Sequence, residues 1–472
     1  MGRSHAKTPT DLSAERSLLE NIGNDLPESN DTTTQSPVDS NTLNPVSDSN
    51  NDPHFSTLNP LSINELLCND ADSILPHEDQ STSPIAVTQQ PAGSLYVDTS
   101  IGPFIDQRGA ELLLYFKKVI ARPWFEVTDS HFTDEAFRAP ICPLLLYSLL
   151  AVSSSHKSRF LEDQAVAQEY ARYGEDYHEK CISLLLPMLN DGNTITDGAF
   201  LACSTILRWY EELSAPIHGK DDASHLLGGY ASVAESFKQD LPWAGFRQAA
   251  LWIHLRQDIF NAAINQTVPR TDVDRLGIDR STSPADETIW AKRVVCLEAE
   301  VVSYCFGNEA SSAQKHSVIN SKLEDWDRYK PETFIPVFYQ DRAPSQGRMF
   351  PVVSLLIDAC VFGLTHYYFC MLMMLVHDPR TPKVGAQYLE SQKRTKEKIL
   401  YYLRMLCGLA CSSPVPPGRG VTCLAISLFG AWITNRAEQD AVIGVLEKVD
   451  LEDAWTTSRM QQDLKAQWND ND

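Results

Sequence analysis

Leu251-Trp252-Ile253-His254-Leu255-Arg256-Gln257-Asp258-Ile259-Phe260 is the stretch on which the fold turns. Leu251, Leu255 and Ile259 recur at i, i+4 and i+8 with Trp252 beside them. That spacing is the apolar stripe of an amphipathic helix, not the alternation of a strand. His254, Arg256, Gln257 and Asp258 are polar within the same stretch. Asp258 has no partner that would make it a general base, so a buried ion pair or a helix-to-helix hydrogen bond is expected of it.

The same period extends in both directions. Upstream, helices are expected over Glu111 to Val119, Pro140 to Ser155, Ala165 to Leu189, Ala199 to Leu213 behind a Thr196-Asp197 cap, and Asp222 to Phe237. Downstream, Trp290 to Phe306, Ser354 to Val376, Tyr388 to Leu409 and Val421 to Leu446 continue the series. Breakers fall between them: Arg122-Pro123, Gly228-Gly229, Pro331, Pro336, Pro379 and Pro414 to Gly418. No sustained alternation with a hairpin turn is present, so strands are expected to be minor. The fold class is therefore all-α, a large multi-helix domain over residues 101–472, with two helical layers expected to part near Asp279 to Asp286. Ala359 to Val376 carries no full charge and is long enough to raise the question of a membrane span. His366 in its middle, Thr365 and Cys370, and the lack of a Lys/Arg cluster beside it favour a core helix.

Residues 1–100 differ in kind. They hold 15 acidic and 3 basic residues, more than half of the chain's net charge of −22. Ser, Thr, Asn, Pro and Asp supply 54 of them, and Phe55 and Tyr96 are the only Phe, Trp or Tyr. Such a segment cannot bury enough apolar surface to offset its ordering entropy, so an acidic, disordered arm is expected. Within it, Phe55, Leu58, Leu61, Leu66 and Leu67 lie among Asn and acidic residues. This is the composition of an amphipathic activation segment, and these five are the candidate partner-docking residues. The overall charge argues against coating nucleic acid or an anionic membrane. Eleven scattered cysteines in mostly apolar runs read as reduced thiols of an intracellular protein, and the Met1-Gly2-Arg3-Ser4 start shows no secretory signal.

Tests for chemistry return little. Gly219-Lys220 is followed by Asp221, and no G-x-S-x-G or H-E-x-x-H occurs. Cys407/Cys411 and His366/Cys370 each offer two ligands one turn apart, too few for a closed tetrahedral site. Asp221-Asp222 is followed one turn on by His225 and Leu226, not by the carboxylates a magnesium clamp needs. Asp450, Glu452 and Asp453 read as a solvated face. No catalytic residue, metal site or cofactor is expected, and the chain is read as a non-enzyme.

Leu255-Arg256-Gln257-Asp258-Ile259-Phe260, running on to Ile264-Asn265-Gln266, resembles a motif in the regulatory domain of fungal-specific transcription factors, the group usually attached to a zinc binuclear cluster. Other segments fit the same family in the same order. They include Cys142-Pro143-Leu144-Leu145, Tyr177-His178-Glu179-Lys180-Cys181, Ile206-Leu207-Arg208-Trp209-Tyr210-Glu211-Glu212 and Ile289-Trp290-Ala291-Lys292-Arg293. Gly363-Leu364-Thr365-His366-Tyr367-Tyr368, Cys407-Gly408-Leu409-Ala410 and Arg436-Ala437-Glu438-Gln439 follow. The resemblance covers roughly residues 105–468. It implies a nuclear, all-helical regulator of RNA polymerase II transcription; many members control nutrient use or secondary-metabolite pathways.

The family's zinc ligands have no counterpart here, since residues 1–140 hold only Cys68 and no basic cluster follows it. The expected mode is therefore contact with protein partners, a DNA-binding transcription factor and the transcription machinery, rather than direct DNA or membrane binding. The helical body would bind a partner or a second copy of itself. The alternative is an all-helical enzyme or small-molecule sensor of a biosynthetic pathway, with His366, Tyr367 and Tyr368 lining its pocket.

Overall fold

The computed structural model describes residues 95–96, 105–127, 130–136, 138–214 and 224–469. Phe55, Leu58, Leu61, Leu66 and Leu67, and the Asp221-Asp222 pair, lie outside the described residues. Among those described, the chain forms 15 α-helices and one two-stranded antiparallel sheet, β1 (Phe338–Gln340) and β2 (Val352–Ser354). The all-α expectation holds.

The first group of helices is α1 (Gln107–Tyr115), α2 (His131–Glu135), α3 (Pro143–Ser158), α4 (Gln164–Met188), α5 (Gly192–Ile195), α6 (Gly198–Ser214), α7 (Ser224–Lys238) and α8 (Gly245–Asn265). The second is α9 (Glu287–Phe306), α10 (Ala313–Tyr329), α11 (Asp358–Val376), α12 (Gly385–Ser412), α13 (Pro416–Phe429), α14 (Arg436–Asp453) and α15 (Ser458–Asn469). In the first, α3 packs on α4 and α6, and α6 on α7 and α8; in the second, α11 packs on α9, α12 and α13. Helix α8 touches both α9 and α13. The apolar core is continuous from Leu112 to Trp468, so the division expected at Asp279 to Asp286 is an exposed link and not a boundary between cores.

Local chemistry explains most helix starts. The Asp197 carboxylate accepts from the Ala199 N–H (2.8 Å) at the expected cap of α6. Asp286 and Ser312 do the same for α9 and α10. In α8, Leu251, Leu255 and Ile259 are all buried, each contributing about 1.5–3 kcal/mol by leaving water. Helix α11 is long and apolar enough to cross a membrane, but 78% of its apolar window is buried inside the protein, the environment of a core helix.

Four boundaries depart from expectation, the first being the helix expected from Ser354, which starts at Asp358 because Ser354 ends β2. The helix expected to stop before Arg122-Pro123 instead continues as a π-helical segment, Phe116–Phe125. Pro123 has no N–H for an α-helical ladder, and the segment closes with the Glu126 N–H on the Ala121 carbonyl (3.1 Å). Pro414 to Gly418 is not wholly a break: α13 starts at Pro416, because proline fits a first helical turn whose N–H groups have no intrahelical acceptor. The stretch Val421 to Leu446 is two helices, interrupted at 430–435. Further along, Gly408 of α12 passes directly under Pro351, where a Cβ would sit 2.5 Å from the Pro351 carbonyl oxygen, so the crossing requires glycine.

The acidic cluster near the C-terminus is not wholly a solvated face. Asp453 is buried, not solvated, and both of its oxygens accept from one terminal nitrogen of Arg419 (3.0 Å each). Glu452 takes the other terminal nitrogen of Arg419 (2.6 Å), and Asp450 accepts from Thr457. The charged run reads as surface in one dimension, but its partner lies more than 30 residues upstream on α13.

Candidate functional site

Five helices line one cavity. On α8, Ile253, Arg256, Gln257 and Phe260 fall at i, i+3, i+4 and i+7, the face turned away from the Leu251/Leu255/Ile259 stripe. On α13, Pro417, Gly420, Val421 and Leu424 repeat that spacing, and α11 supplies Phe362 and His366 one turn apart. Helix α6 contributes Trp209 and Glu212, α9 contributes Glu298, and Trp124, Phe125 and Trp455 complete the wall. The cavity measures about 90 Å³. Gly420 is needed for its shape, because a Cβ there would meet the Trp455 ring at 2.9 Å.

The wall is aromatic and tightly set. Trp124 lies 4.8 Å from Trp209 and 6.5 Å, edge-on, from Trp455, while Phe260 lies 5.9 Å from Trp455 (ring centroids). The Arg256 guanidinium sits 5.2 Å above the Phe362 ring. Two acidic groups of the lining have partners. Glu212 accepts from Arg208 Nε (3.2 Å), and His366 Nδ1 is hydrogen-bonded to the Glu298 carboxylate. Burial pushes the Glu212 carboxyl up to about 7, outweighing the pull of Arg208.

Four polar atoms of the lining are not paired. Trp209 Nε1, Gln257 Oε1, His366 Nε2 and Trp455 Nε1 are buried and have no hydrogen-bond partner. They are four of thirteen such atoms among the described residues, and all four belong to side chains that line this cavity. Gln257 is held in place by its amide nitrogen, which donates to the Thr205 carbonyl (2.9 Å) and leaves its oxygen unused. Buried polar atoms are normally satisfied, so a cluster of orphans around a void marks a place where something else supplies the partners.

A wider cleft of about 770 Å³ borders Arg270, Asp274, Arg280, Arg293, Glu300 and Lys322. Much of its charge is already neutralised: Arg293 pairs with Asp279, Arg280 with Asp274 and Lys322 with Glu300. The smaller cavity is the better-built site.

Of the pocket residues expected from sequence, His366 lines the cavity and Tyr367 and Tyr368 do not. Consecutive helix positions point about 100° apart, so Tyr367 stacks on Trp326 (5.2 Å) and Tyr368 meets Tyr402 (5.8 Å). Asp258 is a structural anchor. It accepts from the Tyr230 hydroxyl (2.6 Å) and from the Arg270 and Thr271 N–H groups (3.2 and 2.7 Å), a helix-to-helix hydrogen bond of the kind expected. Cys370, one turn beyond His366, is buried and its thiol is pushed well up, unlike a reactive thiolate. Trp209, Gln257, Gly420 and Trp455 were not legible as one site. The available signal was the polar pair Arg256-Gln257 set between apolar Ile253 and Phe260 on one helix face.

Buried histidines near the site predict an acid-sensitive fold. Burial pushes His156, stacked on Trp209, down to about 4, and pushes His254, edge-on to Tyr230, down as well. Between pH 6.5 and 4 the unfolded chain binds these protons and the folded one does not, so their contribution is full above pH 6.5 and lost as pH falls. Glu212 works the other way between pH 4.5 and 7, but it is one group against two. Stability should drop on the order of 3 kcal/mol from pH 7 to pH 4, read as the urea midpoint against pH. A flat profile would show that these imidazoles are not held neutral.

No family model, curated protein or solved structure matches this chain.

Proposed function

We propose that this chain is a regulator of RNA polymerase II transcription, related to the fungal-specific transcription factors, whose helical body is a regulatory domain that responds to a small molecule. It regulates rather than catalyses. It works in the nucleus through protein contacts, with a DNA-binding factor and with the transcription machinery, on genes such as those of a secondary-metabolite cluster.

The observation that supports this reading is a convergence. Three segments that carry the family resemblance, Ile206 to Glu212, Leu255 to Phe260 and Gly363 to Tyr368, are widely separated in sequence. Each supplies lining residues to the one cavity whose polar atoms lack partners. A regulatory domain needs an element with two packings that a ligand can bias. A void shared by α6, α8, α9, α11 and α13 is suited to that, since filling it favours one arrangement of five helices.

The test tethers the full chain to an unrelated DNA-binding domain above a reporter. The reporter should respond, and the variant with Phe55, Leu58, Leu61, Leu66 and Leu67 all changed to Ala should lose the response. A reporter that the tethered, folded chain leaves unchanged in both directions contradicts the regulator reading.

A further inference from the structure

We infer that the cavity between α6, α8, α11 and α13 takes a neutral, hydroxylated molecule of a single aromatic ring. This rests on the cavity being a ligand site, as proposed above, and adds what the ligand is.

Size sets the first bound. The volume is about 90 Å³, smaller than the ~150 Å³ engineered apolar cavity that admits benzene. One ring is therefore the upper bound, and its entry requires the wall to give way by part of that difference. Shape sets the second. Trp124, Phe125, Trp209, Phe260, Phe362 and Trp455 supply π-faces and edges, which favour a flat conjugated guest over a branched aliphatic one.

Charge sets the third. Arg208 pairs with Glu212, Glu298 is hydrogen-bonded to His366, and the orphaned groups are two indoles, an amide and an imidazole nitrogen. An ionic guest would lose its hydration and find no unpaired counter-ion among these pairs. Hydrogen bonding sets the last. The Trp209 and Trp455 N–H groups can only donate and the Gln257 Oε1 can only accept. With Nδ1 engaged by Glu298, His366 leaves Nε2 to donate or accept according to the proton it carries. A ring hydroxyl both accepts and donates, so two hydroxyls on one ring can serve both kinds of group. A plain hydrocarbon leaves all four unserved.

The test is saturable quenching of tryptophan fluorescence in the purified full chain, with resorcinol, benzene and benzoate as probes. Resorcinol should bind at least tenfold more tightly than either of the others. Gln257→Leu and Trp455→Phe should each weaken resorcinol about tenfold while leaving benzene within a factor of two or three. Three results would overturn the inference: no saturation by resorcinol, meaning that water alone fills the void; benzene or benzoate binding as well as resorcinol; or both variants, verified as folded, binding resorcinol like the parent. The ranking of the three probes needs no variant, so a misfolded substitution does not rescue the idea. Binding by the pure protein is also independent of transcription. A silent reporter with intact resorcinol binding removes the regulator reading alone, and the converse removes only the ligand assignment.

Discussion

Arg419→Met should cost about 3–5 kcal/mol of folding stability. Arg419 is among the largest fully buried side chains, and every part of its guanidinium is used. Nε donates to the Ala410 carbonyl at the end of α12 (3.0 Å), one terminal nitrogen serves both Asp453 oxygens (3.0 Å), and the other reaches Glu452 (2.6 Å). The residue thus ties the first turn of α13 to the ends of α12 and α14. Removing it leaves the Asp453 carboxylate in the interior with no counter-charge. Burial already pushes that carboxyl up even with Arg419 in place. The cost is that of an orphaned buried charge, not the worth of the pair, and a double variant separates the two. Arg419→Met combined with Asp453→Leu should recover much of the loss, because replacing a buried pair by apolar groups is often near neutral. Urea unfolding of the two singles and the double measures this; a single variant within 1 kcal/mol of the parent would show that Asp453 finds water.

Trp326→Ala should cost a similar amount, about 3–5 kcal/mol. Trp326 is the point at which α10 joins the rest. Its ring stacks on Tyr367 of α11 (5.2 Å) and meets Trp290 of α9 and Phe334 edge-on (6.2 and 5.5 Å), and its N–H donates to the Trp290 carbonyl (3.0 Å). Truncation removes the ring contacts and the hydrogen bond together and leaves a void between three helices. Trp326→Phe keeps most of the packing and should cost about 1–2 kcal/mol, largely the hydrogen bond. An Ala variant no worse than the Phe variant in urea would mean that α10 is not held through this residue.

That helix also shows where sequence reading fails. Nothing in the periodicity singled out 313–329, because its buried stripe is His316, Ile319, Leu323 and Trp326, with only two aliphatic members among charged neighbours. By contrast, α8 and α11 were plain, since unbroken apolar spacing leaves one physical solution. Asp453 was misread because its partner is distant in sequence. The cavity was half visible. His366 and the Arg256-Gln257 pair drew notice as polar residues within apolar helices. Trp455, Gly420 and the π-helical Trp124 and Phe125 could be added only once the helices were packed. The five apolar residues from Phe55 to Leu67 lie outside the described part of the chain, and the role proposed for them comes from composition.

The most direct measurement of the proposed role is chromatin occupancy of the tagged chain in its source cells, mapped with and without candidate DNA-binding factors. The proposal predicts enrichment at a discrete set of promoters, lost when the partner is removed and altered by the cavity variant Trp455→Phe. A folded, expressed protein whose signal stays at background across the genome would contradict it.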